Sequence, residues 1–462
     1  MKAGLFTLCL LALASSARAD ALVTLDRAHP GPALNGRLLG VNMGVWEDID
    51  QPSHAGALKA LGASGVRWPG GSTADLYHWA DNKACPGGYA NGSASFEAFL
   101  DRIVKPLALD LWMTVDYGTD ETCSGGGDAA EAGAWVAAAK AKGVEALGWT
   151  VGNEAFGDWE IDRHAQAHDP ETYAKEVAQD FYPAIKAADP QAKVGIVVAP
   201  EFRADWDAIV LAKARYDFVE VHFYAQQSGK EDDVFLAAHA ADALKRNLAV
   251  LRGELARAGR VDTPIFVGEI NSVNTGPGKQ TMGIAQALFA GQALGAMMEE
   301  GVAAAAWWSA FGSCTLPPHG NFSANLAGDS PFGGYMLAAD ERLARDCPQA
   351  AALAPGALTP AGRAFQMMNP VLRAGARPLK AGVTGEASVR AYASATQEGE
   401  AVALFNLDPS RATPVRIALA RPMDARIETM DGAVSAARGD SVAPLALILA
   451  PWSMALVRLK AR

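Results

Sequence analysis

Apolar, strand-length runs recur through the first two-thirds of the chain, at residues 38–43, 65–68, 109–115, 147–151, 194–198, 218–223, 265–267 and 302–308. Between them lie longer stretches rich in Ala, Leu, Glu and Lys, among them 128–142, 170–188, 234–258 and 281–300. The runs are mostly apolar, and their alternation with helix-like stretches predicts parallel pairing of strands buried beneath helices. Eight strands alternating with helices predict an α/β fold closed as a (β/α)8 TIM barrel, although a doubly wound open sheet would show a similar alternation.

Beyond about residue 360 the pattern changes. Short runs at 387–392, 401–407, 415–419, 425–430, 445–449 and 452–459 follow one another without long helices, and turn pairs such as Asp408-Pro409 and Asp431-Gly432 separate them. That spacing predicts a C-terminal antiparallel β-sandwich. An early run at 21–25 precedes the barrel and is expected to pair into the sandwich. The expected organisation is a leader over 1–19, an N-terminal strand segment over 20–33, a barrel over 34–358 and a sandwich over 359–462.

Lys2, an apolar run over 5–14 and Ala17-Arg18-Ala19 before Asp20 have the form of a secretory signal peptide, so the protein is expected to be secreted or periplasmic. Cys9 lies inside the apolar run and not after it, which does not suit a lipid anchor. No later segment offers about 18 uninterrupted apolar residues. The stretch 282–298 comes nearest, and its glutamines and glycines suit a packed helix better than a membrane span. The formal charge is −11, and loss of Lys2 and Arg18 with the leader makes it more negative. Such a surface disfavours nucleic acid and anionic membrane as partners and says little about a neutral sugar.

Four cysteines follow the leader: Cys85, Cys123, Cys314 and Cys347. An even count in an exported chain reads as disulfides, and arithmetic alone allows three pairings. Their spacing fits no metal pattern. On the barrel reading Cys85 and Cys123 follow neighbouring strands, which favours Cys85 with Cys123 and Cys314 with Cys347.

Two of the apolar runs end in a carboxylate: Trp149-Thr150-Val151-Gly152-Asn153-Glu154 and Pro264-Ile265-Phe266-Val267-Gly268-Glu269. Parallel barrels build their sites at the C-terminal ends of the strands, and the count places Glu154 after the fourth strand and Glu269 after the seventh. Two carboxylates facing each other about 5 to 5.5 Å apart suit a retaining glycosidase. One protonates the leaving oxygen and later activates water, while the other attacks the anomeric carbon. These roles need different pKa values, and an ionised neighbour is expected to raise that of the acid.

On these residues the chain resembles the retaining glycosidases of clan A. The resemblance implies that Glu154 is the acid/base, that Asn153 contacts the sugar's 2-hydroxyl and that Glu269 is the nucleophile. It further implies that Arg67, His222 and Tyr224 support the nucleophile and line the subsite, and that Trp308 is an aromatic platform. The segment Arg67-Trp68-Pro69-Gly70-Gly71, continuing to Tyr77-His78-Trp79, is similar to that of α-L-arabinofuranosidases. Ala155-Phe156-Gly157 stands where those enzymes have Met-Asp-Gly, and Gly268-Glu269-Ile270-Asn271-Ser272 is closer to the form in β-glucuronidases related to heparanase. Trp46, Trp68, Trp79, Trp112, Trp159, Trp307 and Trp308 fall in or beside strand ends, where flat rings can stack on sugars; Trp68 is a further substrate-binding candidate.

Each residue also has a plainer role open to it. Asn153-Glu154 could cap a helix, Glu269 could only pair with Arg67, His222 could be a core histidine, and Tyr224 and Trp308 could fill the barrel's upper layer. A buried guanidinium at Arg67 needs a carboxylate partner in any case. Pro69-Gly70-Gly71-Ser72-Thr73 lacks the Gly-Lys-Ser/Thr of a phosphate loop and reads as a turn that allows close backbone approach. His164 and His168 have helical spacing without a protease glutamate and read as surface residues, and no serine sits in a Gly-x-Ser-x-Gly elbow. Asn91 and Asn321 head glycosylation sequons.

The sequence therefore points to a retaining glycoside hydrolase acting on an oligo- or polysaccharide, α-L-arabinofuranosidase-like in the first place, with β-glucuronidase/heparanase-like or β-xylosidase-like enzymes as alternatives. No cofactor and no metal is expected. A non-catalytic carbohydrate-binding protein and a transglycosidase are the rival classes.

Overall fold

The computed structural model describes residues 20–316 and 330–462; the leader and the sequon at Asn321 lie outside these. Eight parallel strands close into a barrel in chain order: Gly40–Asn42, Gly65–Trp68, Asp110–Val115, Gly148–Val151, Val194–Val198, Phe218–Gln226, Ile265–Val273 and Ala304–Trp307. These are referred to below as the first to eighth strands. Helices including Ser53–Leu61, Ala129–Ala141, Ala204–Lys213, Asp233–Arg257 and Ile284–Glu299 follow the strands and surround them. Local chemistry starts several of them: the side chains of Asp128, Asp169 and Asp232 accept from backbone N–H groups two or three residues into the following helix.

The helix Pro360–Leu372, capped by the Thr359 hydroxyl, packs on Ile284–Glu299 and Ser53–Leu61 and closes the outer ring. Its Phe365, Met368 and Leu372 belong to the barrel's core. The boundary expected between 358 and 359 therefore moves beyond this helix, because its apolar stripe is buried by barrel helices.

The C-terminal domain stacks two sheets. One has the order Ala381–Thr384, Ala21–Leu25, Thr413–Ile417, Leu445–Leu449; the other has Arg377–Leu379, Val389–Thr396, Gly399–Asn406, Ser453–Ala461, Met423–Thr429, Val434–Gly439. All pairings are antiparallel except that of Ala21–Leu25 with Thr413–Ile417, which is parallel. On Gly399–Asn406, Val402 and Leu404 face the sandwich core, whereas Ala401, Ala403 and Phe405 face the barrel. Gly291 and Gly295, one helical turn apart on Ile284–Glu299, receive the rings of Phe405 and Tyr392; a Cβ on either would lie 2.7 or 2.4 Å from them. These small residues seat the sandwich on the barrel. No helix among the described residues is long and apolar enough to cross a membrane.

Two disulfides staple the loops: Cys85–Cys123 with Cα atoms 5.5 Å apart and Cys314–Cys347 with Cα atoms 5.8 Å apart.

Candidate active site

The barrel interior changes character along its axis. At its N-terminal end Trp112, Phe218 and Phe266 pack with Ala304 and Ala306. One layer higher the sixth strand presents Glu220, then His222, then Tyr224, since every second residue of a strand faces the same side. A Cβ on Gly268 would lie 2.1 Å from Glu220 Oε1, so the seventh strand is glycine where Glu220 crosses the axis. Its register against the sixth strand then shifts between Val267 and Glu269, a local irregularity of the kind that re-aims a side chain near a site.

Arg67 is the hub. It is 0 % exposed, its Nε stands 2.8 Å from Glu220 Oε1 and its Nη1 stands 3.1 Å from Glu269 Oε1. Nη1 also donates to Asn42 Oδ1 at 3.0 Å and Nη2 to Asn153 Oδ1 at 2.8 Å. Burial alone would lower the guanidinium's pKa, but Glu220 and Glu269 more than offset it. Burial would likewise raise that of Glu220, yet Arg67, His222 and a short hydrogen bond from the Thr150 hydroxyl hold it below its ordinary value.

Glu154 and Glu269 meet in one pocket. A carboxylate oxygen of each and a ring nitrogen of His222 lie within 4.8 Å of one another. His222 Nδ1 is 2.7 Å from Glu154 Oε1 and its Nε2 is 3.0 Å from Glu220 Oε1. Tyr224 donates its hydroxyl proton to Glu269 Oε2 at 2.5 Å, and Trp159 Nε1 donates to Glu154 Oε2 at 2.7 Å. Glu154 sits on a sharp turn, with φ +75° at Gly152 and +42° at Glu154 itself. Such left-handed backbone at a non-glycine costs energy and is concentrated at functional sites.

The pKa order differs from the one the sequence led us to expect. Burial would raise Glu154, but His222 and Trp159 bring it below its usual range. Glu269 is raised by burial, a push that His222 and Arg67 only partly offset. The cause lies in His222: against the cost of its burial, Glu269, Glu154 and Glu220 lift its pKa to about 10. The imidazolium touches Glu154 directly and Glu269 only at 3.7 Å. Both ring nitrogens of His222 face carboxylates, and Glu154, His222 and Glu269 have the spacing of a ligand set. Among the described residues a second such cluster is His78 with Cys85 and Cys123, whose sulfurs are already bonded to each other.

The pocket has a volume of about 640 Å³ and is lined by Gly71, Ser72, Asn153, Glu154, Phe156, Trp159, Glu160, Val198, Ala199, Pro200, Phe202, His222, Tyr224, Glu269, Asn274, Thr275, Trp308 and Tyr335. Of the sequence candidates, Asn153, Glu154, His222, Tyr224, Glu269 and Trp308 line it, and Arg67 lies beneath its floor. Gly71 allows Trp308 to lie against the backbone, where a Cβ would be 2.7 Å from the indole.

Trp68 is a correction. It is 0 % exposed and stacks on Phe99 with centroids 5.0 Å apart, because its neighbour Arg67 points into the barrel and alternation sends Trp68 outward among the helices. Trp79 stacks on Trp135, Trp307 packs against Phe289, and Trp112 belongs to the opposite end of the barrel. His164 is not a surface residue either; it pairs with Asp162 and Glu176, each at 2.7 Å.

Several residues escaped the sequence reading. Glu220 was hidden in an apolar run, though its two-residue spacing from Phe218 and His222 put it on the inward stripe. Asp75 accepts from the backbone N–H of Asn153 at 2.9 Å and of Tyr117 at 3.2 Å, fixing the turn that carries Glu154. Glu160 accepts from Asn153 Nδ2 at 2.9 Å and Ser72 Oγ at 3.0 Å, and burial with Asp75 and Glu154 nearby pushes its pKa up to about 9. A groove of about 740 Å³ on the sandwich, beside Arg373 and Arg458, is lined by no aromatic residue.

No protein-family model and no curated protein matches the sequence. Solved structures do match. An α-L-arabinofuranosidase from Thermotoga maritima is 17% identical, with a TM-score of 0.70 over 95% of this chain and 99% of that one. A GH51 arabinofuranosidase from Xanthomonas axonopodis pv. citri is 17% identical, with a TM-score of 0.70 over 96% of this chain and 100% of that one. A monomeric β-xylosidase from Caulobacter crescentus is 16% identical, with a TM-score of 0.66 over 95% and 99%. The barrel with its sandwich is thus the fold of these arabinofuranosidases and this xylosidase over nearly the whole chain.

Proposed function

We propose that this protein is a retaining O-glycoside hydrolase that works by double displacement, with Glu269 as nucleophile and Glu154 as acid/base. The observation that carries the reading is the approach of the two carboxylates within 4.8 Å over one pocket, the short separation that suits a covalent glycosyl-enzyme and leaves no room for an inverting water. Arg67 and Tyr224 hold Glu269 for attack on the anomeric carbon. Glu154 protonates the departing oxygen and then removes a proton from the water that frees the sugar. The proton needed first is held by the Glu154, His222 and Glu269 cluster of the free site. A substrate oxygen that displaces Trp159 from Glu154 removes one of the contacts depressing its pKa, and so moves that proton toward Glu154.

The substrate we favour is a neutral glycoside, an α-L-arabinofuranoside on a polysaccharide side chain, with a β-xyloside as second choice. Among the described residues lining the pocket there is no lysine or arginine, while three carboxyl groups are present. A glucuronide would bring a further carboxylate into a pocket whose nearest cations, Arg67 and His222, are already paired with Glu220, Glu269 and Glu154, an unfavourable burial that speaks against the glucuronidase reading. We also propose that the protein is exported, a reading supported by the leader-like N-terminus and by two disulfides.

Purified protein should release nitrophenol from nitrophenyl α-L-arabinofuranoside, or failing that from the β-xyloside, with the product's anomeric configuration retained. A 2-fluoro glycoside of the active sugar should label Glu269 covalently. Inverted product, or a label on another residue, overturns the double-displacement reading; activity on nitrophenyl glucuronide alone overturns the substrate.

A further inference from the structure

Only three large aromatic side chains among the described residues are strongly exposed, Tyr89, Trp159 and Phe202, and two of them share the rim of this pocket. Trp159 is 52% and Phe202 62% exposed, and their ring centroids are 5.6 Å apart with planes inclined by 51°. Both rest on the buried Phe156, at 6.0 and 6.3 Å, and Phe156 rests in turn on Trp206 at 6.1 Å. The loop that carries Phe202 is tied down by Arg203, whose guanidinium donates to the Phe156 carbonyl at 2.6 Å and pairs with Asp205 at 3.0 Å. The rings are therefore presented on a firm base. Exposed, contiguous apolar surface beside a polar cleft marks a binding site more often than chance.

The position of this surface relative to the acid assigns its occupant. Trp159 Nε1 touches Glu154 Oε2 at 2.7 Å, the carboxylate oxygen not held by His222, so the indole adjoins the acid that protonates the departing group. We propose that Trp159 and Phe202 form a stacking platform for a sugar ring on the leaving-group side of the scissile bond, so that the natural substrate is a glycosyl unit borne on a carbohydrate chain and not on a small aglycone. The inference rests on the glycosidase reading given above. Val198, Ala199 and Pro200 also line this pocket and add apolar surface, matching the apolar faces of a neutral sugar ring. The platform binds substrate and transition state alike, so its loss appears in KM more than in kcat.

The test compares the full-length protein with its Phe202→Ala variant, because Phe202 touches neither carboxylate and its ring is largely exposed. The probes are methyl α-L-arabinofuranoside, arabinoxylan-derived oligosaccharides bearing the same sugar, and unsubstituted xylotriose. The wild type should prefer the oligosaccharides over the methyl glycoside in kcat/KM, and Phe202→Ala should reduce that preference by roughly 2- to 10-fold through KM. Equal preference in the two proteins overturns the platform. Calorimetric titration with xylotriose supplies a readout that needs no turnover: binding weakened in Phe202→Ala supports the platform even in a protein that hydrolyses nothing, which would sink only the glycosidase reading. Binding that is absent, or equal in both proteins, overturns the platform even where hydrolysis is seen.

Discussion

The two ends of the barrel interior are built on the same strands and solve opposite problems. At the N-terminal end Phe218 stacks on Phe266 with centroids 4.2 Å apart, and Trp112 meets Phe266 edge-on at 5.0 Å. The neighbouring strands make room for this ring cluster: a Cβ on Gly195 or Gly148 would lie 2.3 or 2.5 Å from the Phe218 ring. Two and four residues along the same strand, Glu220 and His222 face the axis, joined by Arg67, Glu154 and Glu269. The lower end gains stability by removing apolar surface from water. The upper end buries charge, which is tolerated only because each group meets an opposite one, and which contributes little net stability. The contrast predicts that changes at the lower end should cost folding and changes at the upper end should cost chemistry.

The largest expected effect is catalytic. Glu269→Gln should reduce turnover by on the order of 10⁴-fold or more while leaving the urea midpoint nearly unchanged; a comparable loss of stability, or retained activity, breaks the comparison. Glu154→Ala should lower kcat by about 10²- to 10⁴-fold on oligosaccharides. Nitrophenyl substrates, which need little protonation, should suffer much less, and equal losses on both would remove Glu154 from the acid role.

Next come the folding effects. Phe218→Ala should cost about 3–5 kcal/mol in denaturant titrations, with kcat per folded molecule close to that of the wild type. Glu220→Ala lies between the two ends and sharpens the comparison. It strands a buried guanidinium, so a loss of roughly 3–5 kcal/mol is expected, together with reduced turnover as Arg67 and His222 lose their common partner. A variant of full stability would show that the ion cluster is not the constraint described here.

The smallest effect is a pH dependence. His222 is raised from 6.5 to about 10, so the folded state keeps a proton that the unfolded chain releases in between. Its contribution to stability is complete below pH 6.5 and is lost as the pH rises through 10. Glu160, raised from 4.5 to about 9, also binds its proton more tightly when folded, and its protonated state favours folding less and less from pH 4.5 up to 9. Both slopes have the same sign. The Tm should fall between pH 6.5 and 9, and His222→Asn should flatten that fall; a Tm that rises over this range contradicts the charge assignment.

Much of this architecture is legible in residue order. Mostly apolar runs separated by helix-forming stretches specify buried parallel strands, because a sheet covered by helices accepts them. The position of a carboxylate at the end of such a run places Glu154 and Glu269 at the barrel mouth. Short-range pattern is silent where partners come from distant strands. The same alternation that aims Arg67 inward sends Trp68 away from the pocket, so closeness in sequence to a site residue did not make Trp68 part of the site. Glu220 stands between Val219 and Val221, and only closure of the barrel reveals the guanidinium that makes its charge tolerable.

The pKa order of the two glutamates, and the meeting of Trp159 with Phe202 across two loops, were likewise decided in three dimensions. Periodicity and strand-end chemistry follow from covalent geometry that every residue carries with it. Electrostatics and ring contacts depend on distances between groups far apart in the chain, and those distances exist only once the barrel has closed.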